Sequence, residues 1–134
     1  MSAHPESILQ QSCVLWFRIQ YPRLAVLLNS VPNGARVSQS QARILRSEGL
    51  TKGVADLELN VARGGWHGLK LEAKTESEEW RGGKRTLTRS YQSPEQRAWQ
   101  SAVEAQGYKY AVFRTLDEFI DIINTYLNDE ATRS

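Results

Sequence analysis

Asp56-Leu57-Glu58-Leu59-Asn60-Val61, a Gly64-Gly65 turn, and His67-Gly68-Leu69-Lys70-Leu71-Glu72-Ala73-Lys74 form the stretch that decides the fold. Leu57, Leu59 and Val61 alternate with polar residues, which marks a strand beginning near Asp56. From about His67 to Lys74, Leu69, Leu71 and Ala73 alternate with Lys70, Glu72 and Lys74, since successive side chains of a strand point to opposite faces. One face of this second strand is therefore apolar, and the other is a polar row turned away from the core. Glu72 and Lys74 share the polar face, two rises or about 7 Å apart. Asp56 joins them if the two strands pair side by side.

Upstream, Leu9, Cys13, Trp16 and Phe17 recur at helical spacing from Pro5 to about Gln20, with Pro5 suited to the first turn and Tyr21-Pro22 closing the helix. A short apolar stretch, Ala25–Leu28, leads into Val31-Pro32-Asn33-Gly34, which has the chemistry of a turn. A second helix is expected from about Ser40 to Glu48, stopped by Gly49 and exposing Arg43 and Arg46.

Downstream, residues 75–92 lack a convincing period, and eighteen irregular residues inside a compact domain point to a functional loop or an unresolved hairpin. Ser93-Pro94-Glu95-Gln96 starts a helix: Ser93 caps it, Pro94 fits its first position, and Gln96 stands at the reciprocal position of a capping box. That helix carries Trp99 and Val103 and stops at Gly107. A strand follows over Tyr108–Phe113, and Thr115-Leu116-Asp117-Glu118 opens a last helix with the stripe Phe119, Ile122, Ile123, Tyr126 and Leu127. Residues 129–134 read as a frayed tail. The order α, α, β, β, α, β, α describes a single α/β domain, with helices around a small central mixed sheet.

Composition narrows the chemistry. A chain of 134 residues is one domain able to bury its own core. The lone Cys13 cannot close an internal disulfide, which excludes a secreted disulfide scaffold and favours a reducing compartment. One cysteine with His4 and His67 cannot fill a structural zinc site, so a metal here is held by oxygen. No apolar run approaches the roughly 20 residues that span a bilayer, and the N-terminus lacks a basic segment followed by an apolar one. A cytoplasmic protein with no membrane partner is expected. The net charge of +2 hides a division, because residues 1–115 carry 16 basic and 10 acidic residues and 116–134 one basic and five acidic. The larger part can present a positive face to a polyanion such as nucleic acid.

The constellation Asp56, Glu72, Lys74 suits phosphodiester chemistry. Two carboxylates supply hard oxygen ligands for Mg²⁺ or Mn²⁺, and such an ion readily takes phosphate oxygens as further ligands. Lys74 beside it can orient or help deprotonate an attacking water. Glu-x-Lys is also common on solvent-facing strands, so the triplet alone leaves both readings open.

Five segments in order resemble the virus-type replication-repair nuclease (VRR-NUC) domain of the PD-(D/E)xK nuclease superfamily. They are Glu6-Ser7-Ile8-Leu9-Gln10, Val31-Pro32-Asn33-Gly34, Gly53-Val54-Ala55-Asp56-Leu57, Glu72-Ala73-Lys74, and Ser93-Pro94-Glu95-Gln96-Arg97-Ala98-Trp99 followed by Gly107. The resemblance spans about residues 6–126. It implies a restriction-endonuclease-like core in which Asp56 and Glu72 bind the metal with the Ala73 backbone carbonyl, and Lys74 is the catalytic lysine. It further implies that Gln96 helps place the lysine or the water, and that Glu6 lies near the metal as a possible further ligand. Ala55 stands where the family usually has proline, and the segment after Lys74 is longer than the usual connection.

Without the resemblance, Glu6 is explained by the helix dipole and Gln96 by its capping box. Arg81, Lys84, Arg85 and Arg89, with Trp80, Tyr91 and two glycines, suit an arm that touches phosphates, and Lys52 and Arg43 extend the basic surface. Cys13 reads as a small buried hydrophobe. Stand-alone members of the family look like junction-resolving enzymes. The expectation is therefore a Mg²⁺- or Mn²⁺-dependent DNA endonuclease acting on branched DNA such as a four-way junction, as a homodimer. The last helix is one candidate for the dimer surface. A nuclease acting on RNA or plain duplex, a sequence-specific restriction-like enzyme and a catalytically silent binding module remain the alternatives.

Overall fold

The computed structural model describes residues 5–32 and 37–129. His4, the Asn33-Gly34 half of the expected turn and residues 130–134 of the expected tail lie outside the described residues. The elements are α1 (Pro5–Gln20), β1 (Leu28–Ser30), α2 (Gln39–Ser47), β2 (Leu57–Leu59), β3 (Leu69–Ala73), β4 (Glu76–Arg81), β5 (Lys84–Arg89), α3 (Pro94–Ala105), β6 (Lys109–Phe113) and α4 (Leu116–Leu127).

Four strands form a mixed sheet in the order β1-β2-β3-β6, with β3 and β6 parallel and the other pairs antiparallel. Alternation sorts its faces. Leu57, Leu59, Leu69, Leu71, Ala73 and Phe113 pack on Cys13 and Phe17 of α1 and on Phe119, Ile123, Tyr126 and Leu127 of α4. Phe113 and Phe119 meet edge to face at 5.1 Å, and the Tyr126 hydroxyl donates to the Val61 carbonyl at 2.6 Å, tying α4 to the exit of β2. On the opposite face, Trp99 of α3 meets Tyr110 of β6 at 6.1 Å, and the Lys70 ammonium lies between the Trp99 and Tyr108 rings.

Most expected elements stand where the periodicity puts them. Ser38 caps α2 and Ser93 caps α3, each in a complete capping box, and Thr115 caps α4. Three readings change. The apolar stretch after α1 is a 3-10 turn, Ala25–Leu27, running into the edge strand β1, which is too short to show alternation. Residues 75–92 are mostly the two-stranded ribbon β4–β5, closed by Gly82 and Gly83 with φ of 57° and 77°. Two consecutive positive φ values make the turn whose twist matches that of paired strands. The stripe of α4 is buried in the chain's own core, so it is not a free dimer surface. The outer face of α1 instead exposes Ile8, Leu15 and Ile19. No described helix is long and apolar enough to cross a membrane.

Candidate active site

The register of β2 on β3 builds the site. Leu57 opposes Leu71 and Glu58 opposes Lys70, so one step further along the antiparallel pair Asp56 stands across from Glu72. The Asp56 backbone is held from the other side, where Val31 N–H donates to its carbonyl at 2.9 Å as a continuation of the β1–β2 pairing. Its side chain turns back to β3, and Oδ2 accepts the Ala73 N–H at 2.8 Å. A buried N–H is thereby satisfied and the carboxylate is aimed at Glu72.

Glu72 is 2% exposed and Lys74 7%, so the polar row on this strand closes inside the protein rather than in solvent. The reason is α3, which covers this face of the parallel β3–β6 pair. Burial pushes the Glu72 carboxyl up to about 9, with a hydrogen bond to Asp56 and the charges of Asp56 and Glu6 acting in the same direction and Lys74 opposing them. Glu72 Oε1 is buried without a hydrogen-bond partner. A buried, unsatisfied oxygen is costly and calls for an explanation such as an ion. Two facing carboxylates with an orphaned oxygen fit a hard divalent cation, which takes one or two carboxylates and completes its shell with water and phosphate. Among the described residues no group of three His, Cys, Asp or Glu side chains gathers as a metal site. Asp56 and Glu72 are the two carboxylates that meet here, and the charge of Glu6 acts on Glu72.

Gln96 sits at the start of α3 with its side-chain Oε1 accepting the Ser93 N–H at 2.8 Å. The capping box engages one lone pair of that oxygen and leaves the second and the Nε2 hydrogens outside it. Gly53 brings this helix end to the Asp56 loop: at φ +94°, a Cβ there would lie 2.5 Å from the Glu95 carbonyl oxygen and 2.9 Å from the Gln96 nitrogen. Only glycine permits that approach.

The basic residues divide. Lys52 pairs with Glu95 at 3.4 Å beside the α3 N-terminus, Arg43 is exposed on α2, and Arg81, Lys84, Arg85 and Arg89 lie on the ribbon. Arg89 is bonded to Glu76 at 2.6 Å. Cys13 is fully buried and its thiol is pushed up to about 12 by desolvation, as suits a packing residue.

Sequence reasoning overlooked Tyr110. Its hydroxyl is buried on the α3 side, accepts from Gln92 Nε2 at 3.2 Å, and is raised above the ordinary tyrosine range by desolvation first and the Glu72 charge second. Its register opposite Lys70 places it on the polar face of β3, which the pairing of β6 with β3 decides.

Among solved structures, one described as a "VRR_NUC domain protein" superposes with a TM-score of 0.75 over the full length of both chains, at 23% identity. The chain therefore has that fold. No family model and no curated protein sequence matches it.

Proposed function

We propose that the protein is a divalent-metal-dependent nuclease that hydrolyses DNA phosphodiester bonds. The observation that carries this reading is the meeting of half-buried Asp56 with buried Glu72 and Lys74 at the ends of β2 and β3, with one Glu72 oxygen left unsatisfied. The fold shared with a VRR_NUC domain protein supports it. Asp56, Glu72 and the Ala73 carbonyl would hold Mg²⁺ or Mn²⁺, and the ion, when bound, supplies Lewis-acid stabilisation of charge on the phosphate.

The chain's own groups do the remainder. Asp56 is oriented by the Ala73 N–H, and Glu72 is fixed by burial beneath α3. Lys74 is held by its backbone N–H on the Phe113 carbonyl at 3.0 Å, and its ammonium orients the attacking water and helps it lose a proton. In this reading Gln96, on the first turn of α3, helps place the lysine or the water, and Glu6 acts on Glu72 through its charge.

The preferred substrate is branched DNA such as a four-way junction, cut by a homodimer, since paired cuts in a symmetric junction call for two related sites. The test uses an immobile four-way junction, a matched linear duplex and a single strand, each with Mg²⁺, Mn²⁺ or EDTA, and a Glu72→Ala control. Metal-dependent paired cuts confined to the junction and absent from the control are expected. Cutting of all three substrates would discard junction resolution. Tight binding without cutting under either metal would leave a binding module.

A further inference from the structure

We propose that the β4–β5 ribbon grips a duplex arm of the DNA, with Arg81, Lys84 and Arg85 at its tip holding phosphates up to about 20 Å, some six base pairs, from the cut; this rests on the nuclease reading of the site.

The ribbon is a sheet of its own that pairs with no strand of the main sheet. Every residue of β5 is exposed, and Trp80 and Leu87 stand 67% and 51% in solvent. A bare two-stranded ribbon is marginal in water, yet this one is fastened at its base. Ser90 N–H donates to the Thr75 carbonyl at 3.0 Å, Arg114 Nη1 donates to the Ser90 carbonyl at 2.7 Å, and Arg97 Nη1 to the Gln92 carbonyl at 2.7 Å. Its root is therefore pinned beside Lys74 and the start of α3, and the rest extends away.

Charge is sorted along its length. Glu76, Glu78 and Glu79 all fall in the first strand before Trp80, whereas residues 80–92 contain no acidic residue. Arg81 and Lys84 face each other across the Gly82-Gly83 turn, and Arg85 pairs with Trp80. Three cations stand at the tip, while at the root Glu76 is paired with Arg89, a distribution suited to a polyanion met at a distance from the active site. Six residues per strand at about 3.4 Å each give the stated reach, and a two-stranded ribbon has the width of the B-DNA major groove. Arg89 lies at the opposite end of β5 from the turn and is outside the grip.

The experiment measures binding of the full chain in EDTA to junctions whose arms are trimmed stepwise, at several salt concentrations. Replacing Arg81, Lys84 and Arg85 by Ala should lower affinity for long arms about 100-fold at 0.1 M salt and flatten the log–log salt slope by about 2.7. Trimming the arms below about six base pairs should cost the wild type the same increment and the triple variant nothing. Arg81→Lys with Arg85→Lys should keep the slope, and Arg89→Ala should leave it unchanged. A triple variant with the wild-type slope, or equal losses on trimming in both proteins, overturns the grip. Cleavage of the same substrates in Mg²⁺ separates the two readings: arm-dependent binding with no cutting removes the nuclease and leaves the grip, and cutting by a triple variant that binds like wild type does the reverse.

Discussion

In the main sheet, an acidic and a basic side chain are buried at the end of β3; in the ribbon, large apolar side chains stand in solvent. Glu72 and Lys74 are almost wholly covered, while Trp80 and Leu87 are more than half exposed. Each region runs against the ordinary partition of residues. Burying a carboxyl beside another carboxylate costs stability, and the chain carries that cost where phosphodiester chemistry is proposed. The ribbon contributes nothing to the core, which frees its surface for contact with another molecule. The two regions should therefore respond to mutation in different observables.

The largest expected effect is on turnover. Lys74→Ala should lower cleavage by about 10²–10⁴-fold, as loss of a positioned proton-transfer group does, while junction binding in Ca²⁺ or EDTA stays near wild type. Loss of binding or of folding would make Lys74 structural and erase the contrast with the ribbon.

Glu72→Gln separates chemistry from stability. It should abolish metal-dependent cleavage and yet stabilise the metal-free fold by about 1–3 kcal/mol near neutral pH, because a neutral amide replaces a buried acid. The unfolded chain releases the Glu72 proton near 4.5 and the folded chain near 9. Wild-type stability should accordingly fall relative to the variant as pH rises between those values, and the difference should vanish below 4.5. Thermal melts of both proteins in EDTA across that range check the sign. A variant less stable than wild type at pH 8 would mean that the carboxylate has a stabilising partner.

Two glycines with positive φ probe the regions at the backbone. Gly53→Ala drives a methyl into the Glu95–Gln96 backbone at 2.5 Å, whereas Gly82 has nothing within 4 Å of its Cβ position. Gly53→Ala should cost about 2–3 kcal/mol and reduce cleavage by shifting α3 from the Asp56 loop. Gly82→Ala should cost only about 1 kcal/mol, the strain of the left-handed conformation, and leave turnover alone. Chemical denaturation beside single-turnover cleavage reads both. Smallest of all, Trp80→Ser with Leu87→Ser should change stability by no more than about 0.5 kcal/mol. A larger loss would place the ribbon against the body of the protein.

Much of this architecture was legible in residue order. Three helix starts carry their capping residues, α1 shows its stripe, and β3 alternates so cleanly that Glu72 and Lys74 could be assigned to one face. The elements missed were those whose signals are weak or doubled. Leu28–Ser30 is three residues at the end of an apolar run, and strand alternation needs more. In β5 both faces are exposed, so no apolar period exists to be found there, although Gly82-Gly83 between β-prone segments was a hairpin signal. Of the candidate site, alternation put Glu72 and Lys74 on one face and the family resemblance joined Asp56 to them, whereas Tyr110 was passed over because a tyrosine in a short strand ordinarily signifies packing.

By itself the sequence determined which residues were available and on which side of each element they lay, because periodicity and capping are local properties of the chain. Tertiary structure decided that Asp56 stands across from Glu72, that Glu72 and Lys74 are covered, and that one Glu72 oxygen is left without a partner. Register and burial arise from contacts between segments distant in sequence, and those contacts turn two ordinary acids and a lysine into a pair of facing carboxyl groups beside an ammonium.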